Sequence, residues 1–428
     1  MESGVLRVRI GYSKSNITPG SGVHKLAGYI RRREPSACVL DDIYVKTLLL
    51  EASNDLLVLV SVDLIAVDSS MLRDIVRVTR KLVGSSHVVV AATHTHSAPL
   101  SLFRDVLPGM GLVEFDPDYY EHFLSAFERS LLGSYERLSR SECYSTTITV
   151  SGVVTNRNNP SAPIDNKAVV VKCTTSSSRI GLMNYGVHPT VLGPGNRCIS
   201  RDLAGAIEDS LKSRTGVEFI FINGAAANVS TRFTRREQSY SEVLRLGSLF
   251  ADSVVRSLEQ AHWRKLTDTP ILVRRESLTM NIDSEKFSRI TKLVNEGQRS
   301  IVEKSPGSKR AEESIEEAVE ALRLIAEKMS NIKNVTVEVS SYLIGSVLGL
   351  ITFPGEALSK TSMECREIAC VDTVFAGYAN GYYGYFSDEA YANTYEDAVT
   401  LFTREDVARL YSLIGRHCSW LRKVSKSL

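Results

Sequence analysis

The sequence predicts an α/β fold of mixed sheets with flanking helices, a functional site at the carboxyl ends of the strands, and an inserted helical hairpin. Three observations support this prediction. An apolar run, an amphipathic stretch and a second apolar run follow one another over residues 56–99. Four more apolar runs each lead into a loop with polar or aromatic side chains. Residues 284–334 are rich in charged, helix-forming residues.

The first unit reads as strand, helix, strand. LLVLVSVDL (56–64) is a short apolar run typical of a buried strand, and HVVVAAT (87–93) is another. Between them, apolar residues recur on one helical face; Asp68 or Ser69 can cap that helix and Gly84 can end it. Such a unit forms a parallel crossover, and open α/β sheets place chemistry beyond the carboxyl ends of their strands. His94 and His96 lie at that edge.

The same arrangement recurs along the chain. The later runs are RIGLMNYGVHP, which ends near His188, EFIFINGAAANVS, SVLGLITFPGE, which ends at Glu356, and VDTVFAGYANGYYGY. Counted with 87–93, five predicted strands therefore carry His, Asn, Glu or Tyr to what we expect to be one sheet edge.

Residues 284–334 predict an amphipathic helical hairpin, because apolar residues recur at Ile315, Val319 and Leu322 in a charged background. We favour a solvated helical pair packed on the main domain; an oligomerisation arm or a lid is the alternative. Residues 1–428 are expected to form one domain with this insertion.

Composition excludes several classes of function. The chain has 51 Lys+Arg and 49 Asp+Glu, a net charge of +2, so a nucleic-acid partner is not expected. Seven cysteines without a C-x-x-C pair suggest free thiols in a reducing compartment. The N-terminus has no apolar signal region and no run is long enough to span a membrane. We therefore expect a cytoplasmic protein.

Three histidines and Glu356 are the candidate metal-binding and catalytic residues. Positions two apart in an extended segment face the same way, so His94 and His96 can address one metal ion, and His188 ends another strand. Glu356 follows an apolar strand, where a buried carboxylate needs a countercharge or a metal. Alone, each has a simpler interpretation: structural histidines, and an acid in the first turn of a helix near Ala357. Together with one further oxygen donor they would form a hydrolytic zinc site.

In order along the chain, the motifs resemble the neutral/alkaline non-lysosomal ceramidases. The motifs are GYSKSNITPG with LAGY, VSVDL, ATHTHSAP, TNRNNPSAPIDN, NYGVHPT, NGAAANVS, FPGE and GYANGYYGYFSDEAYANTYEDA. The resemblance implies a mixed α/β catalytic domain that holds one zinc ion and hydrolyses the amide between a fatty acyl chain and a sphingoid base.

The resemblance also implies residue roles. The implied zinc ligands are His94, His188, Glu356 and Tyr385. His96 is implied as the general acid/base, and Arg157 and Tyr395 as the groups that stabilise the oxyanion. The spacing between Tyr385 and Tyr395 is two residues shorter than in the family, and the alternative tyrosines are Tyr382, Tyr383 and Tyr391.

We therefore expect a zinc-dependent amidohydrolase acting on a linear, N-acyl or lipid-like amide. An esterase or other hydrolase at the same site is the first alternative. A non-catalytic ligand-binding or scaffold homologue is the second, because Asn228 replaces an acid of the family pattern. We also expect the protein to have no C-terminal immunoglobulin-like domain of the kind that the family carries. The sequence leaves open whether the protein forms a homo-oligomer.

Overall fold

The computed structural model describes residues 8–20, 24–30, 32–105, 114–286, 288, 332–392 and 394–428. These residues form three larger sheets, two short strand pairs and flanking helices, which is the mixed α/β fold predicted from the sequence. All five strands that were predicted to carry functional residues are present.

The strands in chain order are β1 (Arg9–Asn16), β2 (Cys38–Val39), β3 (Tyr44–Ala52), β4 (Asp55–Val62), β5 (His87–Ala92), β6 (Ser139–Arg140), β7 (Glu142–Thr149), β8 (Thr155–Asn156), β9 (Lys167–Thr174), β10 (Arg179–Tyr185), β11 (Cys198–Ile199), β12 (Glu218–Asn223), β13 (Val229–Ser230), β14 (Arg264–Lys265), β15 (Leu272–Asn281), β16 (Asn334–Ile344), β17 (Leu348–Thr352) and β18 (Asp372–Ala376). The helices with described bounds are α1 (Ser69–Val83), α2 (Pro117–Glu136), α3 (Asp202–Thr215), α4 (Tyr240–Leu258), α5 (Ser359–Ala369), α6 (Tyr395–Ala398) and α7 (Arg404–Ser425).

Each larger sheet ends in a parallel strand pair. The strand orders are β5-β4-β3-β1-β6, β12-β10-β9-β7-β14 and β15-β16-β17-β18. The parallel pairs are β4 with β5, β10 with β12, and β17 with β18, and the other neighbours in these sheets are antiparallel. Helices α1, α3 and α5 lie between the paired strands in the chain, as parallel connections require. The fold therefore contains three strand–helix–strand units.

Helix α1 begins and ends where the sequence predicts. The Asp68 Oδ1 atom accepts a hydrogen bond from the Met71 amide at 2.7 Å, and the Gly84 amide donates to the Arg80 carbonyl at 3.2 Å. Gly84 has φ +82°, a conformation that glycine adopts without steric cost. Cap residues thus fix the length of the helix that joins β4 to β5.

The three sheets pack on one shared apolar core. Its members from the three sheets include Leu48, Leu59, Val171, Leu182, Leu350 and Val374. Buried amide side chains join the sheets at their parallel edges: Asn184 donates to the Phe375 carbonyl and Asn223 to the Thr93 carbonyl, both at 3.0 Å. The carboxyl ends of the parallel pairs are therefore held side by side.

The structure corrects the prediction of free thiols. Three disulfides join Cys38 to Cys198, Cys143 to Cys173, and Cys365 to Cys418, and Cys370 is free and exposed. The paired cysteines are 160, 30 and 53 residues apart in sequence, and they meet only because β2 pairs with β11, β7 with β9, and α5 packs against α7. Spacing in the sequence does not reveal such pairs.

Two other predictions concern the periphery. The hairpin predicted over 284–334 lies almost entirely outside the described residues, so it stays a prediction. Among the described helices, none combines the length and the apolar character that a membrane crossing requires.

Candidate active site

His94 follows β5 and forms the centre of the site. It is buried and adopts φ +67°, a left-handed conformation that is uncommon for a residue with a side chain. Its Nδ1 atom lies 2.7 Å from the Ile65 carbonyl oxygen, so the ring presents Nε2 to its other neighbours. An extended backbone was predicted for the H-T-H segment, and this prediction is wrong at His94. The left-handed backbone of His94 sets the direction of its imidazole instead, and such conformations cluster at functional sites.

The imidazoles of His96 and His188 converge on His94. The Nε2 atom of His94 lies 3.2 Å from His188 Nε2 and 3.3 Å from His96 Nε2. All three side chains are buried, and their ring nitrogens lie within 4.8 Å of one another, close enough to bind one metal ion. The Nδ1 atom of His188 lies 3.2 Å from the Ala226 carbonyl oxygen, which orients the ring.

Glu356 adds a carboxylate to this cluster from the end of β17. Its Oε1 atom lies 3.0 Å from His94 Nε2, and its side chain is 1% exposed. Helix α5 begins only at Ser359, so Glu356 does not serve as its first-turn acid. The hydroxyls of Tyr378 and Tyr382 donate to Oε2 and Oε1 at 2.8 and 3.1 Å. The carboxylate therefore faces the histidines and is held by two tyrosines.

The electrostatics of the site favour neutral side chains at His96 and His188 and an ionised carboxylate at Glu356. Burial lowers the pKa of His188 to about 3; Glu356 opposes this lowering, and the proximity of His94 and Arg157 adds to it. Burial, with His94, His188, Arg32 and Arg157 close by, holds the pKa of His96 well below its ordinary value. Burial raises the pKa of Glu356, but attraction to His94 and His188 outweighs this and lowers it to about 2. At neutral pH the cluster offers imidazole nitrogens and one carboxylate, which are ligands that zinc accepts.

Arg157 lies in a second cluster beside the histidines. Its Nε atom donates to Glu396 Oε1 at 2.6 Å, and the guanidinium lies 5.4 and 5.0 Å from the ring centroids of Tyr385 and Tyr395. Burial lowers the pKa of Arg157, but the charge of Glu396 outweighs this and raises it well above its ordinary value. Its Nη2 atom is buried without a hydrogen-bond partner among the described residues. A permanently charged donor therefore remains available beside the histidines.

Tyr385 connects the two clusters. Its backbone forms a parallel bridge with Glu356, and its ring lies edge-on to that of Tyr395 at 5.5 Å. Burial raises the pKa of Tyr385 well above its ordinary value; Arg157 opposes the rise and Glu356 adds to it, so both charges act on the same hydroxyl. Of the alternative tyrosines, Tyr382 contacts Glu356, whereas the hydroxyl of Tyr383 donates to the Thr336 carbonyl.

Asn228, where the family pattern has an acid, supports the site from outside. Its Oδ1 atom accepts from the Ser359 amide at 2.8 Å, at the start of α5, and its Nδ2 donates to the Tyr391 hydroxyl at 2.6 Å. Its carbonyl accepts from the Arg157 amide at 2.8 Å. An aspartate could accept from Ser359 but could not donate to Tyr391. Asn228 is thus held in place by hydrogen bonds to Ser359, Tyr391 and Arg157.

Sequence reasoning missed several residues of the site. Tyr378 stacks on His94, and Glu396 holds Arg157. Gly28, with φ +92°, lies against the His96 ring: a Cβ added there would be 2.2 Å from His96 Nδ1. Tyr378 and Glu396 both lie in the motif GYANGYYGYFSDEAYANTYEDA, and this position was the only sign in the sequence that they belong to the site. Their contacts are visible only in the fold.

Comparison with known proteins finds similarity to one family. Residues 8–218 match the sequence profile described as neutral/alkaline non-lysosomal ceramidase, N-terminal. Among curated proteins, no sequence matches the chain.

Two solved structures are similar in fold. One is the crystal structure of neutral ceramidase from Pseudomonas aeruginosa, with a TM-score of 0.75 and 18% identity over 98% of this chain and 75% of that one. The other is described as ceramidase complexed with C2, with a TM-score of 0.73 and 18% identity over 98% of this chain and 76% of that one. The likeness confirms the predicted fold class.

Proposed function

We propose that the protein is a zinc-dependent amidohydrolase that cleaves a linear N-acyl amide. The observation that carries the proposal is the convergence of His94, His96, His188 and Glu356 in one buried cluster. The family match over residues 8–218 supports amide hydrolysis. Ceramide-like lipids are one candidate substrate class, because both similar solved structures are described as ceramidases.

In this proposal, zinc is bound by His94, His188, Glu356 and Tyr385. The donor set fits the ion: the lowered pKa values keep the His188 imidazole neutral and the Glu356 carboxylate ionised at neutral pH, and zinc accepts both kinds of ligand. The hydroxyl of Tyr385 lies within electrostatic range of Glu356. Bound there, zinc would supply Lewis acidity and lower the pKa of a coordinated water to about 7.

His96 is the proposed general acid/base. Its low pKa keeps the imidazole neutral, so Nε2 can accept a proton from the attacking water and deliver it to the leaving amine. Arg157 and Tyr395 are the proposed donors to the developing oxyanion. The buried Nη2 atom of Arg157, without a protein partner among the described residues, is suited to this role. The positive charge of Arg157 also favours the anionic state that forms on the acyl oxygen.

Hydrolysis of the matching ester is the alternative that uses the same site, because ester and amide share the tetrahedral intermediate. A scaffold function without catalysis is less well supported, since His94, His96, His188 and Glu356 form one buried cluster. Asn228 is integrated by hydrogen bonds. The cytoplasmic location and a homo-oligomer stay predictions. The three disulfides remove the cysteine argument for the cytoplasm.

The test compares N-acyl amides of graded chain length with their matching esters on zinc-loaded protein. We expect amide hydrolysis in the wild type and a loss of roughly 10²–10⁴-fold in kcat/KM for His96→Ala. His122→Ala is the matched control, because His122 is an exposed histidine of α2. Turnover of esters alone would favour the alternative. Undiminished activity of His96→Ala would contradict the assigned role.

A further inference from the structure

Tyr378 contacts two of the proposed zinc ligands at once. Its side chain is fully buried, and its ring stacks on the His94 imidazole with centroids 4.0 Å apart and planes 19° apart. Its hydroxyl donates to Glu356 Oε2 at 2.8 Å. One side chain thus constrains both the plane of an imidazole and the rotation of a carboxylate.

The backbone of Tyr378 is held by the neighbouring strand ends. Its amide donates to the Gly355 carbonyl at 3.2 Å, and its carbonyl accepts from the Ala92 amide at 3.1 Å. These contacts link it to the chain just before Glu356 and just before His94. Tyr378 also has φ +54°, a conformation that costs energy for a residue with a Cβ and persists only where surrounding contacts hold it.

The two oxygens of Glu356 have different surroundings. Oε1 faces His94 Nε2 at 3.0 Å and accepts from Tyr382 at 3.1 Å, whereas Oε2 is occupied by Tyr378. A ligating carboxylate is commonly oriented by a hydrogen bond to its other oxygen, and such partners affect metal affinity strongly. The hydroxyl of Tyr378 leaves Oε1 turned toward the imidazoles.

We propose that Tyr378 is the positioning residue of the metal site: it fixes Glu356 through its hydroxyl and His94 through its ring, before any metal binds. The proposal rests on the zinc site proposed above. It assigns Tyr378 no bond to metal or substrate. Its effect is to keep the ligands from rotating apart in the metal-free protein, so that binding requires little reorganisation.

The test is the zinc affinity of the metal-free protein, measured by competition with a chromophoric chelator. Tyr378→Phe keeps the stacked ring and removes only the hydroxyl, and we expect zinc affinity to fall about 10–100-fold. Tyr119→Phe is the matched control. Tyr119 is also buried in an apolar cluster, and its hydroxyl donates to the Ile17 carbonyl at 2.7 Å. This control should bind zinc as tightly as the wild type.

A second variant separates the ring from the hydroxyl. Tyr378→Leu removes both contacts and should bind zinc more weakly than Tyr378→Phe, with thermal unfolding of each metal-free variant recorded to confirm folding. Equal zinc affinity for the wild type and Tyr378→Phe would overturn the proposal. Absence of stoichiometric zinc binding in the wild type would instead overturn the proposed function, so the two failures are distinguishable.

Discussion

Lys46 offers a direct test of how the core near the site is held together. Its ammonium is fully buried and donates to Asp63 Oδ1 at 2.9 Å and to the two Glu208 oxygens at 2.8 and 2.7 Å. Lys46 belongs to β3, Asp63 follows β4 and Glu208 lies in α3, so the triad joins the first sheet to the helix of the second strand–helix–strand unit. Lys46→Met would leave two carboxylates buried without their cation.

The expected loss of stability depends on the hydrogen-bond and ion-pair partners that Asp63 and Glu208 keep when Lys46 is replaced. Removing one partner of a buried pair costs about 3–5 kcal/mol. Here the Phe221 amide still donates to Glu208 and the Tyr44 amide to Asp63, both at 2.9 Å, and Arg201 lies 3.5 Å from Glu208. We therefore expect a loss near the lower limit, about 3 kcal/mol in the free energy of unfolding. Because burial raises the pKa of Glu208, the loss should shrink at lower pH as the carboxylate takes up a proton.

Equilibrium urea unfolding with the disulfides intact measures this loss. The control is Lys265→Met, whose ammonium lies 3.0 Å from Glu142 with both side chains more than half exposed, so it should change stability by only about 0–1 kcal/mol. The double variant Lys46→Met/Glu208→Gln should regain part of the loss, because one stranded charge is gone. If Lys46→Met stays within 1 kcal/mol of the wild type, about the control's range, the triad does not stabilise the fold in this way.

Two further changes test local strain and protonation. Gly28→Ala should lower the free energy of unfolding by about 1–3 kcal/mol more than Gly152→Ala. Both glycines have positive φ, but only Gly28 lies against the His96 ring. Equal losses of stability in urea unfolding would refute the close contact. Burial lowers the pKa of His417 to about 4; Glu276 opposes this lowering, and Arg274 and Arg416 add to it. The unfolded chain therefore binds more protons, and stability should rise with pH between about 4 and 6.5, a dependence that His417→Gln should flatten. An unchanged pH profile would show that His417 does not titrate in this range.

Local sequence patterns predicted the strand ends but not how they meet. Apolar runs that end in His188 or Glu356 identify strands, because burial of aliphatic residues is a local preference. The meeting of three parallel edges depends on contacts such as Asn184 with Phe375, 191 residues apart. Another such contact joins the Asn223 side chain, at the end of β12, to the Thr93 carbonyl.

The residues of the candidate site were also predicted only in part. The residues His94, His188 and Glu356 were predicted, since a histidine or an acid at an apolar strand end is conspicuous. The left-handed conformation of His94 was not, because no glycine or asparagine signals it. Tyr378 was passed over because a tyrosine in a tyrosine-rich turn has no distinguishing neighbour in the sequence; stacking on His94 is visible only in three dimensions.

The metal content of purified, zinc-loaded protein tests the central claim most directly. The account predicts about one zinc ion per chain in the wild type and in His122→Ala, and loss of stoichiometric zinc in His94→Ala and His188→Ala, each checked for folding by thermal unfolding. Stoichiometric zinc retained by the folded His94→Ala and His188→Ala variants would contradict it.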